Sequence, residues 1–260
     1  ILRIISRWME EEKQAGRCVS MSAASILGTV CIYAITAAVI RFLPTAFIFL
    51  IPALFLGGMA VSWIVMVSRI EPMLDKREER TQSVPENKRQ RKWKLFIAAG
   101  LIPIGLTVIC HGILKESVVA WIPTYLFETF HTDTSAAVLS TVVIPLIGLA
   151  GAYGATKLLR ICGNSESGAA AIFFTVALVC FILLRALGDH SLWMTLLLFG
   201  IITAAMHGVN TLYVSLFPLR YGHLGITSSL TGLLNACTYL GTSVSNYGIG
   251  AVAQFSTWNT

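Results

Sequence analysis

The stretch LFIAAGLIPIGLTVICHGILKESVVAWIPTYLF, Leu95 to Phe127, is a long apolar run broken only by His111, Lys115 and Glu116. Backbone amides cannot go unpaired in lipid, so an apolar run of this length is a helix. At about 1.5 Å per residue it reaches roughly 50 Å, well beyond the ~30 Å hydrocarbon core of a bilayer. Two arrangements satisfy that length. In one the helix stops near Leu114, Lys115 snorkels to the headgroups and residues 117–127 lie in the interface. In the other the helix is continuous, bends near Pro123, and Lys115 faces an aqueous cavity lined by protein. His111 and Lys115, four apart, share a face, whereas Glu116 points about 100° away.

Working outward, six further apolar segments flank this one, at about 19–40, 45–68, 135–158, 168–187, 192–216 and 227–255. The 260 residues are 55% hydrophobic and only 12% charged, with a mean hydropathy of +0.74. Soluble domains carry about 25% charged residues. The composition excludes a soluble enzyme, a secreted disulfide scaffold and a disordered chain. It implies an all-α polytopic membrane protein with seven transmembrane helices. Residues 1–17 place Ile1, Ile4, Ile5 and Trp8 at helical spacing among charged neighbours, which predicts a short interfacial helix. The chain begins without Met and ends just after an apolar run, as a piece of a longer protein would.

Charge fixes the orientation. When alternate connections are assigned to opposite sides, residues 1–17, 69–94, 157–167 and 217–226 hold 16 of the 19 Lys and Arg. Only Arg41, Lys115 and Arg185 remain. Basic residues collect on the cytoplasmic side, so 1–17, 69–94, 159–167 and 217–226 are expected there, in a multi-pass inner-membrane protein. This also accounts for the net charge of +6. No basic stretch is interleaved with aromatics, so no nucleic-acid partner is implied. The six cysteines show no Cys-x-x-Cys pair and read as small buried hydrophobes; neither a metal nor another cofactor is expected.

The longest connection, 69–94, carries nine basic and five acidic residues and separates two helices from five. A charged central linker between two helical halves is a transporter layout. Residues 1–68 would then be an interfacial helix and the last two helices of one half, and residues 95–260 the first five of the other. That numbering makes the seven helices five to eleven of twelve.

The residues Lys115-Glu116-Ser117-Val118-Val119-Ala120-Trp121-Ile122-Pro123-Thr124-Tyr125-Leu126 resemble helix seven of the organophosphate:phosphate antiporters, a glycerol-3-phosphate transporter-like family of the major facilitator superfamily. The pattern there is a basic residue, five intervening residues, then Trp-x-Pro-Thr-Tyr-Leu. Leu230 to Leu234 with Tyr239 to Ser243 is similar to helix eleven of that family, and Phe255 to Trp258 to the turn before its last helix. The resemblance implies a partial major facilitator fold and a secondary transporter moving a small anionic organic solute by alternating access. It implies no enzyme, and a monomer of the full-length chain as the working unit. It further implies that Lys115 occupies the place of an arginine that binds substrate phosphate in the central cavity. A second phosphate-binding arginine of that family lies on helix one, before Ile1. Lysine offers a point charge where arginine offers a planar fork.

Further candidates come from polar residues inside apolar segments. His207 and Asn210 are three apart and share a face with Thr203 or Thr211, and Asn235, Tyr239 and Asn246 form a stripe on the last segment. Their bland role is interhelical hydrogen bonding; their functional role is lining a cavity with Lys115. Trp121 and Tyr125 are either packing anchors or cavity gates. A proton-coupled transporter needs a titrating group, and Glu116 and His111 are the candidates near Lys115. Gly148, Gly151, Gly154, Gly241 and Gly248 allow close helix approach. Gly151 to Arg160 is a decayed copy of the superfamily's Gly-x-x-x-Asp-Arg/Lys loop, without its acidic residue. Two other classes share seven helices or apolar composition. A retinal-type receptor needs a lysine in its last helix, and 227–255 has none; for a membrane enzyme the chain has no local motif such as His-Glu-x-x-His, which leaves a site assembled from distant residues as the open alternative.

Overall fold

Each apolar segment folds as a helix because a helix alone satisfies its own amides in lipid. The computed structural model describes residues 9–42, 44, 47–78, 100–131, 142–188, 190–224 and 226–255, together with Leu2 and Ile5. Among them are seven α-helices: α1 Glu11–Phe42, α2 Phe47–Glu78, α3 Leu101–Phe130, α4 Val143–Ile161, α5 Glu166–Leu187, α6 Leu192–Asn210 and α7 Thr227–Phe255. Between α6 and α7 the chain passes through a π-helical turn, Thr211–Leu216, and a 3-10 segment, Phe217–Leu224. No strand occurs among the described residues.

Five stretches are long and apolar enough to cross a membrane: Lys13–Val39, Phe47–Arg69, Leu101–Phe130, Glu166–Leu187 and Leu192–Gly222. The remaining two helices are more polar for visible reasons. Helix α4 carries Lys157 and Arg160 in its last turns, and α7 carries Thr, Ser and Asn along its length.

The helix ends differ from the hydropathy boundaries. Helix α1 already begins at Glu11, so the expected junction between an interfacial helix and the first membrane segment lies inside one continuous helix. Helix α2 continues to Glu78, beyond Arg69 where the polar linker was expected to start. The rest of that linker and most of residues 1–8 fall outside the described residues. Helix α3 starts at Leu101, after Gly100 adopts φ +99°, a conformation open to glycine. It then runs unbroken through Lys115 and Pro123 to Phe130. Of the two arrangements considered for this segment, the helix is thus continuous and does not stop near Leu114.

The chain divides into two compact units, residues 1–34 with 101–260, and residues 35–100. In the smaller unit none of the apolar window of α2 is buried, and Phe49, Leu54 and Phe55 are each at least 69% accessible. Such a surface suits lipid.

In the larger unit α3 packs along α7, and α6 along both α4 and α5. Glycines set these seams. A Cβ on Gly112 would overlap the Thr238 carbonyl oxygen, and one on Gly241 the Ile109 carbonyl, so α3 and α7 meet backbone to backbone. Gly151 does the same for α4 against Ala204 of α6. Such close approach is how membrane helices gain packing without a hydrophobic drive between them. Thr242 Oγ1 donates across the first seam to the Gly112 carbonyl at 3.1 Å. The core lies between α3, α4, α5 and α6, around Ile122, Leu126, Ile144, Cys180, Leu196, Phe199 and Ile202.

The turn from α4 to α5 is short and defined. Gly163 and Asn164 both take φ +62°. Their N–H groups return to the Arg160 and Leu159 carbonyls and so close α4. Ser165 then caps α5, its Oγ accepting from the Gly168 N–H at 3.2 Å. Glu166 in the first turn and Arg185 in the last complement the helix dipole.

Candidate functional site

The unbroken α3 carries three ionisable residues into the middle of an apolar helix. His111 is fully buried, and its Nε2 donates to Asn210 Oδ1 of α6 at 3.4 Å in the Nε2–H tautomer. Its Nδ1 has no partner among the described residues. One turn on, the Lys115 side chain is only 16% exposed and pairs with Glu116, which is 40% exposed. Lys115 lies within electrostatic reach of both His111 and His207. Glu116 lies within reach of Tyr33 on α1.

Helix α6 supplies the facing residues. His207 lies against α4, where a Cβ on Gly148 would sit 2.9 Å from its ring Cδ2 and 3.5 Å from Thr203 Cγ2. A larger residue at 148 would displace the imidazole. Asn210 follows one turn later on the same face. Thr211 donates back to the His207 carbonyl at 2.9 Å and opens the π-helical turn, every residue of which is buried. π-turns inside α-helices mark functional stretches more often than chance. No residue type in TLYVSL signalled it in the sequence.

The structure thus gathers Lys115, Glu116, His111, His207 and Asn210, and adds Tyr33, which sequence reasoning missed. The other sequence candidates lie elsewhere. Trp121 is nearly three turns past His111, about 15 Å along the helix axis. Its ring lies against Gly250 in the α3–α7 seam. Tyr125 stands edge-on to Phe199, with ring centroids 5.7 Å apart, against the apolar core. Asn235 is half-buried on α7, and Tyr239 is 63% exposed, on a different side of α7 from Thr238 and Gly241. Asn246 Oδ1 is buried without a hydrogen bond among the described residues.

Chemically, the cluster is a recessed ammonium with one carboxylate and with imidazole and amide groups around it. An anion entering it would meet Lys115 as the charge and the Asn210 amide N–H groups or a His207 ring N–H as hydrogen-bond donors, the His111 N–H being already given to Asn210. Glu116 is its competitor for Lys115. Among the described residues no group of three His, Cys, Asp or Glu could hold a metal ion, and all six cysteines are free.

A second polar cluster escaped the sequence reading. Arg220, in the 3-10 segment, forms an ion pair with Glu166, its Nε 2.7 Å from an Oε1 that accepts no hydrogen bond among the described residues, and donates an Nη2–H to the Asn164 carbonyl at 2.7 Å. The pair joins residues far apart in the chain, so only the isolated charge of each at a segment end could have drawn attention to them. Beside them is a cavity of 390 Å³ that also reaches Arg160 and Gln14.

The sequence model of one protein family, described as Major Facilitator Superfamily, matches residues 1–254. Neither the curated proteins nor the solved structures provide a significant match to the chain.

Proposed function

The chain belongs to the Major Facilitator Superfamily, and from that premise we propose that it moves a small anionic organic solute with Lys115 as the charge anchor. It is a multi-pass membrane transporter of that superfamily, a family of carriers rather than enzymes. We further propose that the solute is of the organophosphate class, that the full-length chain works as a monomer in the inner membrane, and that residues 1–17, 69–94, 159–167 and 217–226 face the cytoplasm.

One observation carries the reading: an ammonium in mid-helix, only 16% exposed, paired with a neighbouring carboxylate. Charge in the hydrocarbon region costs several kcal/mol and is kept where it does work. An arriving anion would take Lys115 from Glu116, while His111, His207 and Asn210 offer polar contacts. Rocking of two helical halves would expose that site to each side in turn. Glu116, released from Lys115 by the solute, and His111 are the groups placed to take up a coupled proton. Trp121 and Tyr125 serve as packing anchors in this reading, Asn235 lines the approach from α7, and Tyr239, exposed on another side of α7, takes no part.

The test is thermal unfolding of the full-length protein in detergent against phosphates, organophosphates, carboxylates and sugars, with and without Lys115→Ala. A ligand of the folded state raises the midpoint as its concentration passes Kd. One anion class should stabilise the parent, and Lys115→Ala should lose about ten- to a hundredfold in affinity, the size of one charge-assisted hydrogen bond. An equal response from Lys115→Ala would remove Lys115 from the site.

A further inference from the structure

The cavity beside Glu166 lies at the other end of the bundle from the Lys115 cluster. Its walls come from α1 (Gln14, Ala15), the end of α4 (Thr156, Leu159, Arg160), the α4–α5 turn with Glu166, and residues 216–222. Gly148 is the α4 glycine that meets His207. Arg160 lies more than three turns beyond it, so the two sites are about 18 Å apart along α4. The cavity volume is 390 Å³. Pockets for small ligands begin at about 300 Å³, so this one is large enough to hold one.

Its charges are not equivalent. Glu166, with its side chain only 11% exposed, is neutralised by Arg220, whose guanidinium is also tied to the Asn164 carbonyl. Arg160 makes no ion pair among the described residues, so the cavity keeps one uncompensated positive charge. Gln14 gives one amide N–H to the Met9 carbonyl at 2.9 Å. A second N–H of the same amide is left to offer. The backbone around these groups is fixed: Asn164 is held in a left-handed turn, and Arg220 clamps that turn to residues 216–222.

We propose that this cavity binds a phosphate group, with Arg160 as its principal ligand and Gln14 as a neutral donor. A guanidinium fork matches phosphate oxygens with two parallel hydrogen bonds. The cavity lies at the end of the helices where the basic residues collect, and basic pockets between membrane helices at that side take anionic headgroups. Two sources share this chemistry, the headgroup of an anionic phospholipid and a soluble phosphate. The site is independent of the solute reading at Lys115.

The experiment measures the unfolding midpoint of the full-length protein in micelles of a maltoside detergent, which carries no phosphate. Phosphatidylglycerol is added in one arm and inorganic phosphate in another, each for the parent, Arg160→Gln, Arg160→Lys, Leu159→Trp and Lys115→Ala. Near a hundredfold excess over Kd, bound phosphate should raise the parent midpoint by about 5 to 10 °C. Arg160→Gln removes the charge and Leu159→Trp fills the space, so both should abolish the rise. Arg160→Lys should keep part of it, and Lys115→Ala should keep all of the phosphatidylglycerol rise and, in the phosphate arm, the part that Arg160→Gln removes. A rise with phosphatidylglycerol alone identifies a lipid headgroup; a rise with inorganic phosphate identifies the soluble source. No rise in either arm, or a rise that survives both Arg160→Gln and Leu159→Trp, overturns the proposal. So does a rise lost only in Lys115→Ala, which would place the phosphate at the solute site. Should Arg160→Gln fail to fold, Leu159→Trp and Arg160→Lys decide the question alone.

Discussion

Gly112→Ala adds one methyl group at the tightest place in the α3–α7 seam. Its Cβ would lie 2.8 Å from the Thr238 carbonyl carbon and 2.9 Å from Thr238 Cα, with the carbonyl oxygen nearer still. Carbon atoms rest about 3.5–4.0 Å apart, and the obstacle here is backbone, which no rotamer change removes. The helices must therefore separate by on the order of 1 Å to restore that distance. Overpacking of this kind costs about 1–3 kcal/mol. Separation also stretches the 3.1 Å hydrogen bond from Thr242 Oγ1 to the Gly112 carbonyl. That bond is worth roughly another 1 kcal/mol. The total of about 2–4 kcal/mol corresponds to a midpoint lowered by roughly 4 to 16 °C in a chain of this size. Gly154→Ala is the control, because nothing lies within 4 Å of its added Cβ. Thermal unfolding in detergent should show a large drop for the first and none for the second. A Gly112→Ala protein as stable as the parent would mean that α3 and α7 do not meet backbone to backbone.

Other outcomes follow from single contacts. Glu116→Gln removes the competitor for Lys115. The affinity for an anionic solute should then rise about two- to fivefold, the size of a partly exposed ion pair, as read by ligand titration. Arg220→Gln strands the mostly buried Glu166. It should destabilise by about 1–3 kcal/mol, discounted from a fully buried pair because Arg220 is half exposed. Adding Glu166→Gln should recover part of that loss, and a double-mutant cycle with no coupling would show that the pair contributes nothing. Ser165→Ala removes the α5 cap. The loss should be about 1 kcal/mol, measurable as a midpoint shift, and Ser165→Asp should restore it.

What could be read from the sequence was the bilayer's imprint. Apolar runs mark where lipid begins and ends, and they located seven helices and an all-α fold. They do not mark where hydrogen bonding ends. Helix α1 reaches back to Glu11, and α2 on to Glu78, because charged residues at a membrane surface are as free to be helical as apolar ones beneath it. Local periodicity put His111 with Lys115, and His207 with Asn210. It was silent on the union of the two pairs, since the hydrogen bond from His111 to Asn210 spans 99 residues and depends on how α3 lies against α6. Trp121 and Tyr125 follow Lys115 closely in the sequence, yet the rise of α3 carries them further along its axis, into packing seams. The Arg220–Glu166 pair had no local signature at all, because a 3-10 segment following a π-turn obeys neither the 3.6-residue period nor a strand's alternation.

The π-turn at Thr211–Leu216 lies between the two polar clusters on one continuous run of chain, Asn210 immediately before it and Arg220 shortly after. Its ladder holds one more residue per closure than an α-helix does, like a spare link folded into a chain. Were that link taken up, everything beyond would advance by one residue, a rotation of about 100° and a rise of about 1.5 Å. Arg220 would then swing off Glu166 and the Asn164 carbonyl, while Asn210 stayed facing His111. The residues of the turn are all buried. The carbonyls that such a change would free are therefore shielded from lipid by their neighbours. A change of phase along this segment, without displacement of a whole helix, would therefore be enough to separate Arg220 from Glu166.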